Sequence, residues 1–320
     1  MLVSRLLVLV TVLLCTAVAC GDDAKQGAKS NAAAPPGDSR SETIGWARAV
    51  DPCALLDAGE LRELGPEVTV GTSSMTTNCS AVVTGGPDQR IDVDVRIGFA
   101  PQLETFKYGS MIEVQDRKVH RVDIRETVPA EQRDQLVQTE CDYRIPLDGG
   151  LGVTVSVEMD RAADPCATGD KLIPGVIKQW NDHPAQGTSP ATTVTVLSAL
   201  TSPCVGLEKL QATRKVEFDW QEQTLDSCYL TVDGASTLIS LENRERDLIT
   251  LDKQEVRLGD YVGYRSEHQG DTFIDVIVGE EFPGVWGNRS IRQLPIVGVM
   301  SNNPDVAQAV AENALAHLPK

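Results

Sequence analysis

The chain has 320 residues, a hydrophobic content of 41% and a charged content of 23%, values typical of a soluble globular protein of two ordinary domains. Its formal net charge is −17, and so acidic a surface repels nucleic acid and anionic lipid headgroups. Nucleic-acid partners and electrostatic adhesion to a membrane are argued against on that ground. Aromatic residues at 4% leave the cores to Val, Ile and Leu.

The first stretch is an export signal. Arg5 supplies a positive start, and Leu6 to Leu14 form an apolar run shorter than the roughly 20 residues a spanning helix needs. Ala17-Val18-Ala19 is a small-residue cleavage region, followed by Cys20 and then abruptly polar Gly21-Asp22-Asp23. A cysteine at that junction reads as a lipobox, with residues 1–19 removed and Cys20 acylated. Ordinary secretion with cleavage after Ala19 is the competing reading. Ala17 stands where a lipobox usually has Leu. Removing 1–19 takes away one base, Arg5, and no acid. The partner implied is the lipid bilayer, reached through an acylated Cys20, with two acyl chains contributing about 0.8 kcal/mol per buried CH₂. The location implied is the extracytoplasmic face of the cell membrane. Residues 20–45 hold almost no large apolar side chain and read as a disordered tether.

The folded part is expected as two similar α+β domains, residues 46–182 and 192–320, joined by a linker at 183–191. Each is expected to be a mainly antiparallel sheet with helices packed on one face. Asp51-Pro52-Cys53 opens a short helix, and Asp57 with Glu60 forms a capping-box-like pair before Leu61 and Leu64. Glu67–Val70, Cys79–Val83 and Ile91–Ile97 read as strands, the last with strict apolar–polar alternation. A second hairpin runs from Cys141–Ile145 through Asp148-Gly149-Gly150 into Val153–Val157. Asp164-Pro165-Cys166 then starts a helix with Leu172, Ile173, Val176, Ile177 and Trp180 on one face, which Pro174 should kink or restart. His183-Pro184 to Ser189-Pro190 breaks the pattern.

Beyond the break the pattern returns. Ser202-Pro203-Cys204 echoes Asp51-Pro52-Cys53, and Cys228–Asp233 echoes the earlier strands that start at a cysteine. Thr237–Leu241 and Thr272–Val278 read as further strands. Asn303-Pro304-Asp305 opens a last helix with Val306, Val310, Ala311, Ala314, Leu315 and Leu318 at three- and four-residue spacing.

Cysteine arithmetic follows from the leader. Cys15 is discarded and Cys20 is lipidated, which leaves Cys53, Cys79, Cys141, Cys166, Cys204 and Cys228, an even set in an exported chain. Matching contexts pair Cys53 with Cys79 and Cys204 with Cys228. Cys141 and Cys166 remain, and the second half lacks cysteine at both equivalents, as a bond requires. No Cys-x-x-Cys spacing and no histidine at ligand spacing points to a metal or redox role.

The lipobox, the polar tether, Asp51-Pro52-Cys53, the strand starting at Cys79 and Asp164-Pro165-Cys166 before a terminal helix together resemble a family of small actinobacterial lipoproteins of unknown function. The resemblance spans residues 1–182 and extends to 192–320, as two units in tandem. It implies an envelope location and an α+β domain, and it brings no catalytic residues.

Motifs for catalysis are missing: the sequence has no nucleophile elbow, phosphate loop, dinucleotide fingerprint or zinc-protease helix. The four histidines, His120, His183, His268 and His317, read as exposed, His120 on a solvated strand edge and His183 in the linker. Asp92 and Asp94 share one strand face, read as the polar side of a half-buried strand. Glu242, Arg244, Glu245, Arg246 and Asp247 read as a solvated mixed-charge stretch. Trp46, Trp180, Trp220 and Trp286 read as scattered. The expectation is a non-catalytic binding module for an unknown envelope ligand or protein, without metal or cofactor, with the cleft between the halves as its site. The alternative is an envelope-polymer hydrolase working by Asp/Glu acid–base chemistry.

Overall fold

The structure is a computed structural model that describes residues 40–319, apart from 87–88, 101–105, 205 and 287–288. The leader, Cys20 and most of the tether lie outside the described residues. The end of the tether does not: Arg40–Arg48 form helix α1, with Ile44 fully buried. Ile44 and Ala47 join the core and Trp46 packs against it, so one apolar turn is enough to seat this segment.

The first half opens as its polar residues dictate. The Asp51 carboxylate accepts from the backbone N–H of Cys53 (3.0 Å) and Ala54 (3.3 Å), starting a 3₁₀ turn at Cys53–Leu55. Asp57 caps α2 (Ala58–Leu64), accepting from Gly59 N and Glu60 N. Seven strands follow: β1 Glu67–Thr72, β2 Asn78–Gly86, β3 Gln89–Phe99, β4 Ser110–Val114, β5 Arg117–Asp123, β6 Gln138–Pro146 and β7 Leu151–Asp160. They make one antiparallel sheet in the order β1-β2-β3-β7-β6-β5-β4. Short α3 (Ile124–Thr127) follows β5. The buried alternation of Val93, Val95 and Ile97 with Val153, Val155 and Val157 gives the sheet its core face. Helix α4 (Pro165–Asp182) packs on β6 and β7, and it runs through Pro174 without ending.

The second half builds an eight-stranded sheet in the order β11-β12-β13-β15-β10-β9-β8, with β14 paired to β15. Its strands are β8 Val216–Phe218, β9 Ser227–Val232, β10 Ala235–Arg244, β11 Gln254–Leu258, β12 Tyr261–His268, β13 Asp271–Ile277, β14 Phe282–Trp286 and β15 Arg289–Ser301. Short α5 (Leu207–Leu210) and α6 (Arg246–Thr250) lie between strands. Helix α7 (Pro304–Leu315) starts at Asn303, whose side chain accepts from Asp305 N and Val306 N, and packs on β15 and β13. Numbered from its own first strand and leaving out β14, this sheet has the strand order of the first. β15 was not foreseen, because Pro295 argues against a central strand. The conflict is resolved by a change of partner: on one edge β15 pairs with β14 up to Gln293 and with β13 from Ile296 onward. Pro295 falls in the gap between them.

Both sheets lie within one compact unit, Ala32–Lys320. The segment 183–191, read as a linker, is fastened along the first half: Asp51 N donates to Pro184 O (2.9 Å), Gln186 N to Ala49 O (2.8 Å), and Ser189 N to the Asp51 carboxylate (2.8 Å). Thr193 N donates to the Thr72 hydroxyl (2.9 Å). β14 packs on β1, where glycines permit close approach: a Cβ at Gly71 would lie 2.9 Å from Val285 Cγ2, and one at Gly284 2.9 Å from Thr72 O.

The deepest contact between the halves is ionic. Arg48 and Asp226 are paired at 2.8 Å with side chains 1% and 5% exposed. The Arg48 guanidinium also donates to Leu197 O, Leu200 O and Leu225 O. Asp226 further accepts from the hydroxyls of Thr76 (3.0 Å) and Thr77. Burial pulls the Arg48 pKa down, and Asp226 opposes that shift.

Two outcomes are expected from this arrangement. Asp226→Ala leaves a buried guanidinium without its counter-ion and should lower unfolding free energy by about 3–5 kcal/mol, measured by denaturant titration. Amide exchange should then rise at Thr76–Thr77 and at Leu197–Leu200 together. Reducing or removing the 25-residue Cys141–Cys166 link should lower stability by about 3.5 kcal/mol on the chain-entropy model.

Candidate functional site

The six cysteines form the bonds Cys53–Cys79, Cys141–Cys166 and Cys204–Cys228, each spanning 5.0–5.2 Å between Cα atoms. Each ties a turn or helix start to a strand. Such bonds belong in an oxidising compartment outside the cytoplasm. Among the described residues no helix is long and apolar enough to cross a membrane, and no group of three or more His, Cys, Asp or Glu is placed to hold a metal.

Strand register sorts the outward face of the first sheet into rows. Asn78, Arg96, Thr154, Arg144 and His120 stand opposite one another across β2, β3, β7, β6 and β5. The next row is Ser80, Asp94, Ser156 and Asp142, and the one after holds Asp92, Glu158 and Glu140. A basic row therefore borders two acidic ones on the same face.

The acidic rows are held by hydroxyls and by Arg90. Ser80 donates to Asp94, Ser156 to Asp142 (2.5 Å), and Arg90 to Asp92 (2.7 and 3.0 Å). Burial raises the pKa of Asp92 against the pull of Arg90. Burial likewise raises Asp94, and it raises Glu158 with help from Asp92 and Asp94 and Glu140 with help from Asp142. Asp92 is buried and Asp94 exposed, and the two repel each other within a wider acidic floor.

The basic row opens into a cleft of about 420 Å³ between the first sheet and the segment Gln221–Asp226 of the second half. Three guanidinium groups line it: Arg40 from α1, Arg96 from β3 and Arg144 from β6. Arg40 donates to Gln223 O (2.7 Å) and stacks over Phe99 at 3.8 Å, and its buried Nε has no hydrogen-bond partner. Arg144 stacks over Phe106 at 4.0 Å, with Asp142 3.7 Å away. Arg96 is exposed and makes no ion pair among the described residues. Two carboxylates reach the lining, Glu222 and Asp226, and Asp226 is already engaged by Arg48. Stacking on Phe99 and Phe106 holds the Arg40 and Arg144 guanidinium groups in place at the cleft.

The histidines are not placed as the sequence suggests. His120 is 4% exposed, stacked on Phe106 at 4.8 Å with Nε2 2.9 Å from Tyr108 O. Its strand β5 is interior, because β4 covers the edge. His183 is 9% exposed, lies 3.9 Å from the Trp46 ring, and has its pKa lowered by burial. Trp46 and Trp180 meet at 5.6 Å around it, so these two tryptophans are not scattered. His268 is exposed at a hairpin end as expected, and His317 is half-buried, bonded to Asn313 O. Arg244 belongs to a partly buried network, bonded to Glu242 (2.7 Å) and to Asp275 (3.1 Å), rather than to a solvated stretch.

The arginines of the cleft were missed by sequence reasoning. Arg96 and Arg144 each continue an outward alternation, after Asp92 and Asp94 and after Asp142, and so look like ordinary polar-face residues. Arg40 falls inside the segment read as tether.

The raised pKa of Asp92 carries a sign. Folding takes up a proton there, so its favourable contribution is full below the ordinary Asp range. That contribution is lost as pH rises through and above the range. Asp92→Asn should therefore raise the melting temperature at neutral pH, with the advantage over the parent shrinking toward pH 4, as followed by thermal unfolding across pH.

No protein-family model, curated protein or solved structure matches this chain.

Proposed function

We propose that this protein is a non-catalytic binding module of the cell envelope that captures an anionic group, carboxylate or phosphate, in the cleft between its halves. The observation that carries this reading is the convergence of Arg40, Arg96 and Arg144 on one cleft in a chain of net charge −17. Fixed guanidinium planes suit bidentate recognition of planar or tetrahedral anions. Phe99 and Thr154 add an apolar wall and a hydroxyl, the mixture that small-ligand sites use for orientation.

The rest of the reading concerns placement. The module is a lipoprotein held on the outer face of the membrane by acylated Cys20, of the kind its sequence resembles. Three disulfides support exposure to an oxidising environment. Its halves are two similar α+β domains with helices on one face of each sheet, a reading supported by the common strand order and by equivalent Cys53–Cys79 and Cys204–Cys228 bonds.

A second reading is an envelope-polymer hydrolase. What favours it is the raised pKa of Asp92 and Glu158 on one open face. It is the weaker reading because neither carboxylate lines the cleft.

Titration with inorganic phosphate and with acetate at low salt, followed by NMR, should give saturable shifts around Arg96, Thr154 and Arg144. Arg96→Ala should weaken binding about tenfold, the lower end for a charged hydrogen-bonded contact. Shifts that do not saturate, or that survive the substitution unchanged, would remove the proposal. Cys20→Ala should move the protein from the membrane to the soluble fraction on cell fractionation.

A further inference from the structure

The outward face of β3 loses its side chains just where it enters the cleft. Arg96 is followed on that face by Gly98, the next to last residue of the strand. Register places Gly152 of β7 opposite Gly98, and both glycines line the cleft. We infer that the anion taken by the cleft is borne on a flat aromatic ring, which lies on the backbone of Gly98 and Gly152. This rests on the anion-binding reading of the cleft and names the class of its ligand.

Gly98 is a glycine that the fold does not require. A strand takes glycine at a bulge, at a left-handed backbone position, or where another part of the chain or a ligand comes close. The β3–β7 register runs unbroken from Ile91 to Phe99, so no bulge lies at Gly98. Its φ is outside the left-handed region. Among the described residues, no atom lies within 4 Å of a Cβ built on it. Gly152 differs, because a Cβ there would stand 3.1 Å from Ala100 Cα and 3.2 Å from Ile145 O. Close approach of a ligand is the reason left for Gly98, which is half-buried and part of the cleft lining.

Size and shape set the class. The cleft holds about 420 Å³, within the range of about 300–1,000 Å³ for pockets that enclose whole small molecules. A bare phosphate or acetate leaves most of it empty, so the anion has a body. Two paired glycines give that body a flat floor of peptide groups, with no side chain between them to interlock with a branched shape. Arg96, Thr154 and Arg144 stand two residues further along the same strands, about 6.6 Å at a rise of about 3.3 Å per residue. A ring over Gly98 therefore turns its charged substituent toward the arginines. Phe99, with Arg40 stacked on it at 3.8 Å, adds an aromatic wall.

The test compares benzoate with acetate and with cyclohexanecarboxylate on the folded protein, by NMR at low salt. All three carry the same charge, and only benzoate is flat and aromatic. Benzoate should bind at least tenfold more tightly than acetate and more tightly than cyclohexanecarboxylate. It alone should move the Gly98 Hα resonances upfield, the ring-current signature of an aromatic face above them. Gly98→Val fills the floor where a Cβ meets nothing, so its melting temperature should equal or exceed the parent's. Benzoate should then weaken at least tenfold, while the acetate and phosphate responses at Arg96 persist. Gly98→Ala should give a smaller loss in the same direction. Benzoate binding no tighter than acetate would overturn the inference, as would benzoate binding that Gly98→Val leaves unchanged. Saturable acetate or phosphate binding beside either result removes the ring alone and keeps the anion reading. Failure of every anion to saturate removes both.

Discussion

One buried ion pair organises this molecule. Arg48 at the end of α1 reaches Asp226 and three carbonyls of the second half, and Asp226 answers to Thr76 and Thr77 of the first. Removing both charges from water is costly, and the site compensates with four hydrogen bonds from the guanidinium and two threonine hydroxyls on the carboxylate. Such a pair tolerates only one mutual placement of its partners. It contributes to specificity of arrangement more than to stability, because a mismatched placement would strand a charge in the core.

The geometry of the cleft follows from that constraint. Helix α1 carries Arg48 at one end and Arg40 at the other, and both side chains grip the segment from Gln223 to Asp226. That segment forms one wall of the cleft, and the outward row of the first sheet forms the other. Arg40 thus holds the wall through Gln223 O and lines the cleft. The glycine contacts of β1 and β14 join the halves elsewhere, and the cleft lies within one compact unit.

The first sheet separates its two faces by chemistry. Inward, aliphatic side chains and Tyr143 meet α4, with the Tyr143 hydroxyl bonded to Cys166 O at 2.6 Å and its pKa driven up by burial and by Asp170. Outward, basic and acidic rows lie side by side. In a chain so acidic, three arginines share one concavity, the arrangement on which the proposed capture of an anion rests.

Much of this was legible from local pattern. Alternation at Ile91–Ile97, the caps at Asp57 and Asn303, the three- and four-residue spacing of α7 and the pairing of six cysteines follow from residues near in sequence or from matched contexts, and the structure carries all of them. His120, His183 and Trp46 were misplaced because their burial depends on what packs over them: β4 and Phe106 in one case, and the α1–α4 contact with the 183–191 segment in the other. β15 was hidden by Pro295, whose missing donor matters only once its neighbouring strands are known. By itself, then, the sequence determined disulfide pairing and the faces of the regular elements, since each depends on short-range periodicity or matched contexts. Tertiary structure alone decided that Arg48 meets Asp226 across the halves and that Arg40, Arg96 and Arg144 share one cleft, because convergence of distant side chains is set by strand order and packing and leaves no periodic trace in the chain.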